Sequence, residues 1–499
     1  MASVALELFY VLGDLMAMWL VWRALEWGWL RPRRLGRALH AQGLRSTAFR
    51  FPSGDLAEET RLLAAQRAKP LPLSSAHAIT ARVEPLLHKA VNEHGKISMV
   101  WEGPTPTVII SDPDLVREVL ANKFGHYRKH ELPSNFVKMI GNGLVNHEGE
   151  KWAVHRKIIN PAFHLEKLKK MVPAFTSCAI ELMGRWEDLI GSDGNAREID
   201  VLPELQDLTG DAISRAAFGS NLILPLHMFS YLPTKLNRRV KRNAREVEAL
   251  LKTIITKREM ALRNGHADDT DMLGLLMLSN MKESQESGSS KPMMTMDDII
   301  GELKVFYFAG MDTTSVTLTW TMIMLSMHPE WQERARDEVL HVFGNNQPDH
   351  NGVSQLKVVT MVLYEVLRLY PALTFLARKP YKEVELGGVT YPPGVQLLLP
   401  ILTIHHDSDV WGEDVDEFRP ARFAEGISKA SKDGTGFFPF GWGPRRCIGQ
   451  NFALLEAKIA LSMILQRFSF ELSPSYTHAP FRVSTLQPDH GAQIMLKKI

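Results

Sequence analysis

Two hydrophobic rhythms divide this chain. From Val4 to Leu30 apolar residues run nearly unbroken, interrupted by Glu7, Asp14, Arg23 and Glu26. Roughly 20 apolar residues cross a hydrocarbon core, and a central acid such as Asp14 is costly there. Trp19, Trp22, Trp27 and Trp29 cluster as residues of a membrane interface do, and Arg31, Arg33, Arg34 and Arg37 follow at once, which places the body on the cytosolic side. Positive charge after the run, with no small-residue cleavage site, argues against a removed signal peptide. We expect residues 1–30 to form a membrane anchor, 31–50 a basic, proline-bearing linker and 51–499 the body.

Beyond Pro32 the period is helical almost throughout. Short strand-like runs stand at Lys96 to Trp101 and Thr107 to Ser111, and Val384 to Thr390 reads as a hairpin. The fold class expected is mainly α with a small β portion (α+β). Its longest helix runs from Thr295 to Met327, stopped by Pro329 and opened by a capping box of Thr295 with Asp298; at 1.5 Å per residue it is ~50 Å long. Lys241 to Arg263 reads as a charged amphipathic helix and Lys282 to Pro292 as an exposed loop. Between them and the preceding helices, Gly219 to Arg239 carries two prolines and no helical run.

Charge and cysteine content narrow the function. The chain has 58 basic and 56 acidic residues, a net charge of +2, which gives no argument for nucleic-acid binding. Its two cysteines, Cys178 and Cys447, make no disulfide framework and suit a reducing compartment.

Cys447 stands in Phe440-Gly441-Trp442-Gly443-Pro444-Arg445-Arg446-Cys447-Ile448-Gly449. Phe452, Leu455, Ile459 and Met463 then recur at helical spacing, so the sulfur lies at or just before a helix N-terminus. That dipole, with Arg445 and Arg446, is expected to depress the thiol and favour the thiolate. An inert packing cysteine is the competing reading, and zinc is another, although no second cysteine or histidine stands at ligand spacing nearby. A sole thiolate ligand points to haem. Within the long helix, Ala309-Gly310-Met311-Asp312-Thr313-Thr314 is odd helix chemistry: Gly and Thr are poor helix formers, and an acid among Phe306, Phe308 and Val316 is costly. A simple glycine-permitted crossing would also explain it. A Thr hydroxyl there can bond back one turn and open the helix. Glu365 and Arg368 are one turn apart, as in an ordinary surface ion pair.

Phe-Gly-x-Gly-x-Arg-x-Cys-x-Gly resembles the haem-binding loop of the cytochrome P450 superfamily. The resemblance implies Cys447 as the iron ligand and Phe440, Arg445 and Gly449 as cofactor contacts. Trp152 and Arg156 resemble the family's haem-propionate helix, and Arg378 matches a propionate-binding arginine. The hexapeptide resembles the oxygen-activation motif, which assigns proton delivery to Asp312 and Thr313 and places Ala309 and Gly310 over the iron. Glu365, Arg368 and Arg422 resemble the structural Glu-Arg-Arg triad, with Ala421 where relatives often have Glu. Leu373 to Ala377 should border the substrate.

Similarity extends from Trp29 to Ile499, and Phe437 to Gln487 looks very like the plant group that includes secologanin synthase. It implies one large haem-thiolate domain on the endoplasmic reticulum membrane, catalytic side cytosolic. It also implies iron protoporphyrin IX as cofactor and an apolar, terpenoid or hormone-like small molecule as substrate. O2 would be the oxidant, with electrons from a separate NADPH-cytochrome P450 reductase, because no flavin or nicotinamide fingerprint is present. Relatives carry a further helix where Gly219 to Arg239 is short. A haem-binding variant with a weakened substrate roof therefore stands as one alternative, and an oxygen-independent haem-thiolate isomerase as another.

Overall fold

The structure, a computed structural model, describes residues 2–191, 194–218, 235–264, 271–286, 288 and 292–499. It is 60% helix and 12% strand, a mainly helical fold with a small sheet portion. The segment 219–234, which holds most of the stretch expected to be short, lies outside the described residues.

A helix from Ala2 to Leu25 presents apolar side chains outward: Phe9, Trp19 and Trp22 are all exposed. A π turn at Glu26–Leu30 carries it without a break into a second helix, Arg31–His40. Pro32 does not interrupt it, because proline in the first turn of the second helix has no intrahelical bond to lose. Residues 31–40, expected in a linker, thus form a helix with Leu35 and Leu39 buried against the sheet. Arg34 reaches back across the π turn to Glu26 at 3.1 Å, Arg33 lies over the Trp29 ring at 3.7 Å, and Trp29 meets Phe51 edge-on at 5.9 Å.

The main sheet sets strands Arg45–Ser46, Ile97–Glu102, Thr105–Ile110, Gln396–Leu399, Leu376–Pro380 and Tyr127–Lys129 side by side in that order. Met99 faces Val108, which faces Leu397, so one apolar row crosses the strands and buries against Leu35 and Leu39. At the far edge the register places Arg378 directly opposite Lys129. The expected hairpin forms from Val384–Leu386 and Val389–Tyr391. A second hairpin pairs Pro480–Arg482 with Leu486–Pro488.

The long helix runs Met296–Met327 with both halves of the expected capping box formed at Thr295 and Asp298. Apolar residues cover it on every side, so it is the axis of the helical core. Helix Val201–Phe218 crosses it closely, with Gly310 against Ile213. Two boundaries differ from the sequence reading. Helix Lys235–Arg263 starts six residues early, since nothing after Pro233 breaks it. Helix Met272–Glu286 takes in the first part of the expected loop, where Lys282 and Glu286 pair one turn apart at 3.7 Å.

Candidate active site

The cysteine loop is shaped by its glycines. Gly443 has φ +69, and a side chain there would run into the Leu120 carbonyl. The Cys447 amide donates to Phe440 O at 2.9 Å, closing the loop before the helix Gln450–Arg467. Cys447 is crowded by this loop yet exposed on one side. Its thiol is nevertheless pushed up, contrary to expectation. Burial outweighs the Gly449 amide and the charges of Arg156, Arg446 and Lys129, which all pull it down. Coordination to a cation would overcome that burial outright.

Around the loop the structure gathers cations with few partners. Arg156, on helix Gly149–Ile159, donates to Arg446 O at 3.1 Å. Arg445 lies over the Trp152 ring at 4.5 Å, donates to His147 O at 2.9 Å and pairs with Glu148 at 2.5 Å. Arg378 is buried and donates to Ala377 O at 2.9 Å; burial, then Arg445, lower it to about 10. Lys129 is lowered to about 7 by burial and then by Arg445 and Arg378. Three arginines and a partly charged Lys129 beside the carboxylate of Glu148 leave a positive surplus that two further carboxylates would offset, and haem carries two propionates. The donor set therefore fits haem: one thiol, no second metal-binding side chain in its loop, and a cationic rim.

The long helix faces the site with Ala309, an exposed residue in a helix otherwise buried along its middle. Phe163 bridges the two parts, its ring 5.7 Å from Phe306 and 6.5 Å from Phe452, on the side where Gly449 leaves room. Thr313 donates to Ala309 O at 2.6 Å, as expected, yet the helix stays continuous. Gly310 points toward Ile213, so its lack of a side chain serves the helix crossing. Asp312 is buried. Its carboxylate accepts from Ser484 and Thr485 at 3.0 Å each and from Gln487 at 3.1 Å, three residues of the second hairpin that the sequence reading did not single out. Lys129 and Glu148 were also missed, since only the strand register and the loop fold bring them here.

The Glu365–Arg368 pair is not on the surface. Both side chains are fully buried, forked at 2.7 and 2.9 Å, and Arg368 also donates to the carbonyls of His405, Val415 and Glu417. Arg422 stands 3.6 Å from Glu365 without a hydrogen bond and pairs chiefly with Asp414 at 3.1 Å. Near the cationic rim, His147, His155 and Glu302 lie close together. His155 and Glu302 are 2.6 Å apart, whereas two ligands of one tetrahedral ion stand ~3.3 Å apart, so these two form a hydrogen-bonded tie between helices.

The family profile described as Cytochrome P450 matches residues 77–223 and 220–494. Cytochrome P450 CYP72A616 of Paris polyphylla is 55% identical over 517 residues, covering 98% of this chain and 99% of that protein. That alignment is longer than the 499-residue chain, so this chain carries gaps against it. Cytochrome P450 72A397 of Kalopanax septemlobus is 48% identical over 500 residues (96% of this chain, 95% of that one), and Cytochrome P450 72A15 of Arabidopsis thaliana 46% over 503 residues (96% of each). With a cationic, cysteine-bearing site on a mostly helical body and near-half identity along almost the full length, the chain belongs to the cytochrome P450 family and, like its members, binds haem iron.

Proposed function

We propose that this P450 monooxygenase places one oxygen atom of O2 into an apolar small molecule of the terpenoid class, the other leaving as water with two protons. Two electrons come from NADPH through a separate cytochrome P450 reductase. Residues 1–30 would hold it on the endoplasmic reticulum with residues 51–499 on the cytosolic side. The observation that carries the reading is Cys447, open on one side, with the charges of Arg156, Arg446 and Lys129 acting on it and Arg378 and Arg445 beside Lys129.

In this reading Cys447 supplies the sulfur ligand, and Phe440 and Gly449 shape the loop that carries it. Trp152 holds Arg445 by its ring, and Arg156, Arg378, Arg445 and Lys129 face the two propionates. Bound haem supplies the oxygen chemistry. The chain's own part is to hold the substrate, exclude water and deliver protons. Ala309 and Gly310 leave room on the long helix, Thr313 has a hydroxyl that can turn from Ala309 O into the cleft, and Asp312 offers a buried carboxyl one residue away. Leu373 and Val483, each 42% exposed in otherwise packed surroundings, offer apolar contact. The reduced carbon-monoxide complex of the wild type should show the thiolate-type Soret band and Cys447→Ser should lose it. Retention of that band by the variant would overturn the ligand assignment.

One observation favours a second reading, a haem protein with a weakened roof. The family profile matches in two parts that meet at 220–223, where the sequence is short. On that reading substrates produce a weak high-spin shift and NADPH is wasted as peroxide, and about twenty helical residues restored after Asn221 would correct both. Tight, well-coupled turnover by the unaltered chain would reject it.

A further inference from the structure

Both groups assigned to proton delivery are already engaged. Thr313 donates to a backbone carbonyl, while Asp312 accepts three hydrogen bonds from the turn of the 480–488 hairpin. We propose that Ser484, Thr485 and Gln487 are positioning residues that latch Asp312, and that a substrate pressing on this turn decides when the carboxyl is free to carry a proton. The proposal rests on the reading of Asp312 and Thr313 as the proton relay.

Three neutral donors from one turn converge on a single buried carboxylate. Gln487 also donates to Thr485 Oγ1 at 3.2 Å, so the donors support one another, and Val483 N–H donates to Thr485 O at 3.1 Å, tightening the turn. The strand end beside the turn is pinned on two sides. Trp320 Nε1 donates to Leu486 O at 2.7 Å, tying it to the long helix, and Leu486 N–H donates to Ala372 O at 3.1 Å, tying it to the segment that should border the substrate. Arg482 lies over the Phe375 ring at 4.8 Å. Only the tip stays open: Val483 is 42% exposed and is bonded in sequence to Ser484. A ligand against Val483 therefore acts on a donor to Asp312 with no intervening side chain.

The chemistry of the latch follows from which form each contact favours. Hydroxyl and amide N–H donors favour the ionised carboxylate, whereas burial favours the neutral acid. For Asp312 burial holds the carboxyl above its usual range against all three donors, and no charged side chain is among the causes. Withdrawing a donor leaves burial less opposed. Asp312 then takes a proton from solvent, and as a neutral acid it can pass that proton to Thr313.

The test compares holoenzymes: wild type, Ser484→Ala with Thr485→Val, Gln487→Met, Thr485→Ser and Asp312→Asn. Infrared difference spectra of the ferric proteins, each taken minus Asp312→Asn so that other buried acids such as Glu84 and Glu456 cancel, should show a protonated-carboxyl C=O band in the double variant at neutral pH, weaker in wild type. With whichever of geraniol, limonene and β-amyrin wild type couples best, product per NADPH should fall about tenfold in the double variant, whose unlatched carboxyl gives up its proton before the substrate is seated, and recover in Thr485→Ser. If the double variant loses haem, Gln487→Met carries the same two readouts. An unchanged carboxyl band in these variants overturns the latch, as does unchanged coupling where Asp312→Asn has lost it. Unchanged coupling in Asp312→Asn overturns the relay itself, and the latch with it.

Discussion

Arg368 places five N–H donations inside the protein: two on Glu365 and one each on the carbonyls of His405, Val415 and Glu417. The planar fork cannot be reproduced by a lysine, which has three donors on a compact charge. Arg368→Lys should therefore leave buried acceptors unpaired and cost about 3–5 kcal/mol, seen as a lowered urea midpoint and reduced haem content. A midpoint equal to wild type would show that these bonds are replaceable. Glu84 gives a pH-dependent counterpart. Burial pushes its carboxyl up to about 7 from 4.5, so the folded protein holds this proton where the unfolded chain has released it. Its contribution to stability is present below about pH 4.5 and is lost as pH rises through about 7. Glu84→Gln should accordingly raise the denaturation midpoint at pH 8 and have little effect at pH 4.5; a gain equal at both pH values would contradict the buried carboxyl.

The cysteine loop behaves as a unit whose shape depends on glycine. Gly443→Ala combines a positive φ with a collision against the Leu120 carbonyl, so the loop must shift. The haem-to-protein ratio should drop while far-ultraviolet dichroism is kept, and full haem loading would argue that the loop tolerates the shift. This loop, the capped long helix and the Val384–Tyr391 hairpin were legible in the sequence because each is set by neighbours in the chain: Gly443 beside Arg445, Thr295 three residues from Asp298. What could not be read joins distant segments. Lys129 meets Arg378 through strand register, Asp312 meets Ser484 through a hairpin docked on a helix, and Asp414 shares Arg422 with the expected partner Glu365. The Cys447 environment was misjudged for the same reason. The dipole and the adjacent arginines are local, whereas the crowding around the loop that outweighs them comes from segments distant in the chain.

At the scale of the molecule, the proposed anchor and the body meet in one helix. Removing residues 2–25 should release the protein from membranes with haem binding intact. Removal through His40 should also cost stability, because it takes Leu35 and Leu39 out of the sheet core. Haem loss with the shorter deletion would mean that the first helix belongs to the body.

The unbroken passage from Ala2–Leu25 through the π turn to Arg31–His40 makes the N-terminal segment a keel, where a loose linker would have made it a tether. With Leu35 and Leu39 fixed in the sheet and Trp29 fixed on Phe51, the body inherits the helix's rotational phase. Each residue added to or removed from 26–30 would turn it by about 100° about the helix axis. If residues 1–30 lie in a bilayer as proposed, the face that the body turns to it, and hence the side from which an apolar molecule dissolved in lipid would meet it, is set by the count of residues in one turn of helix.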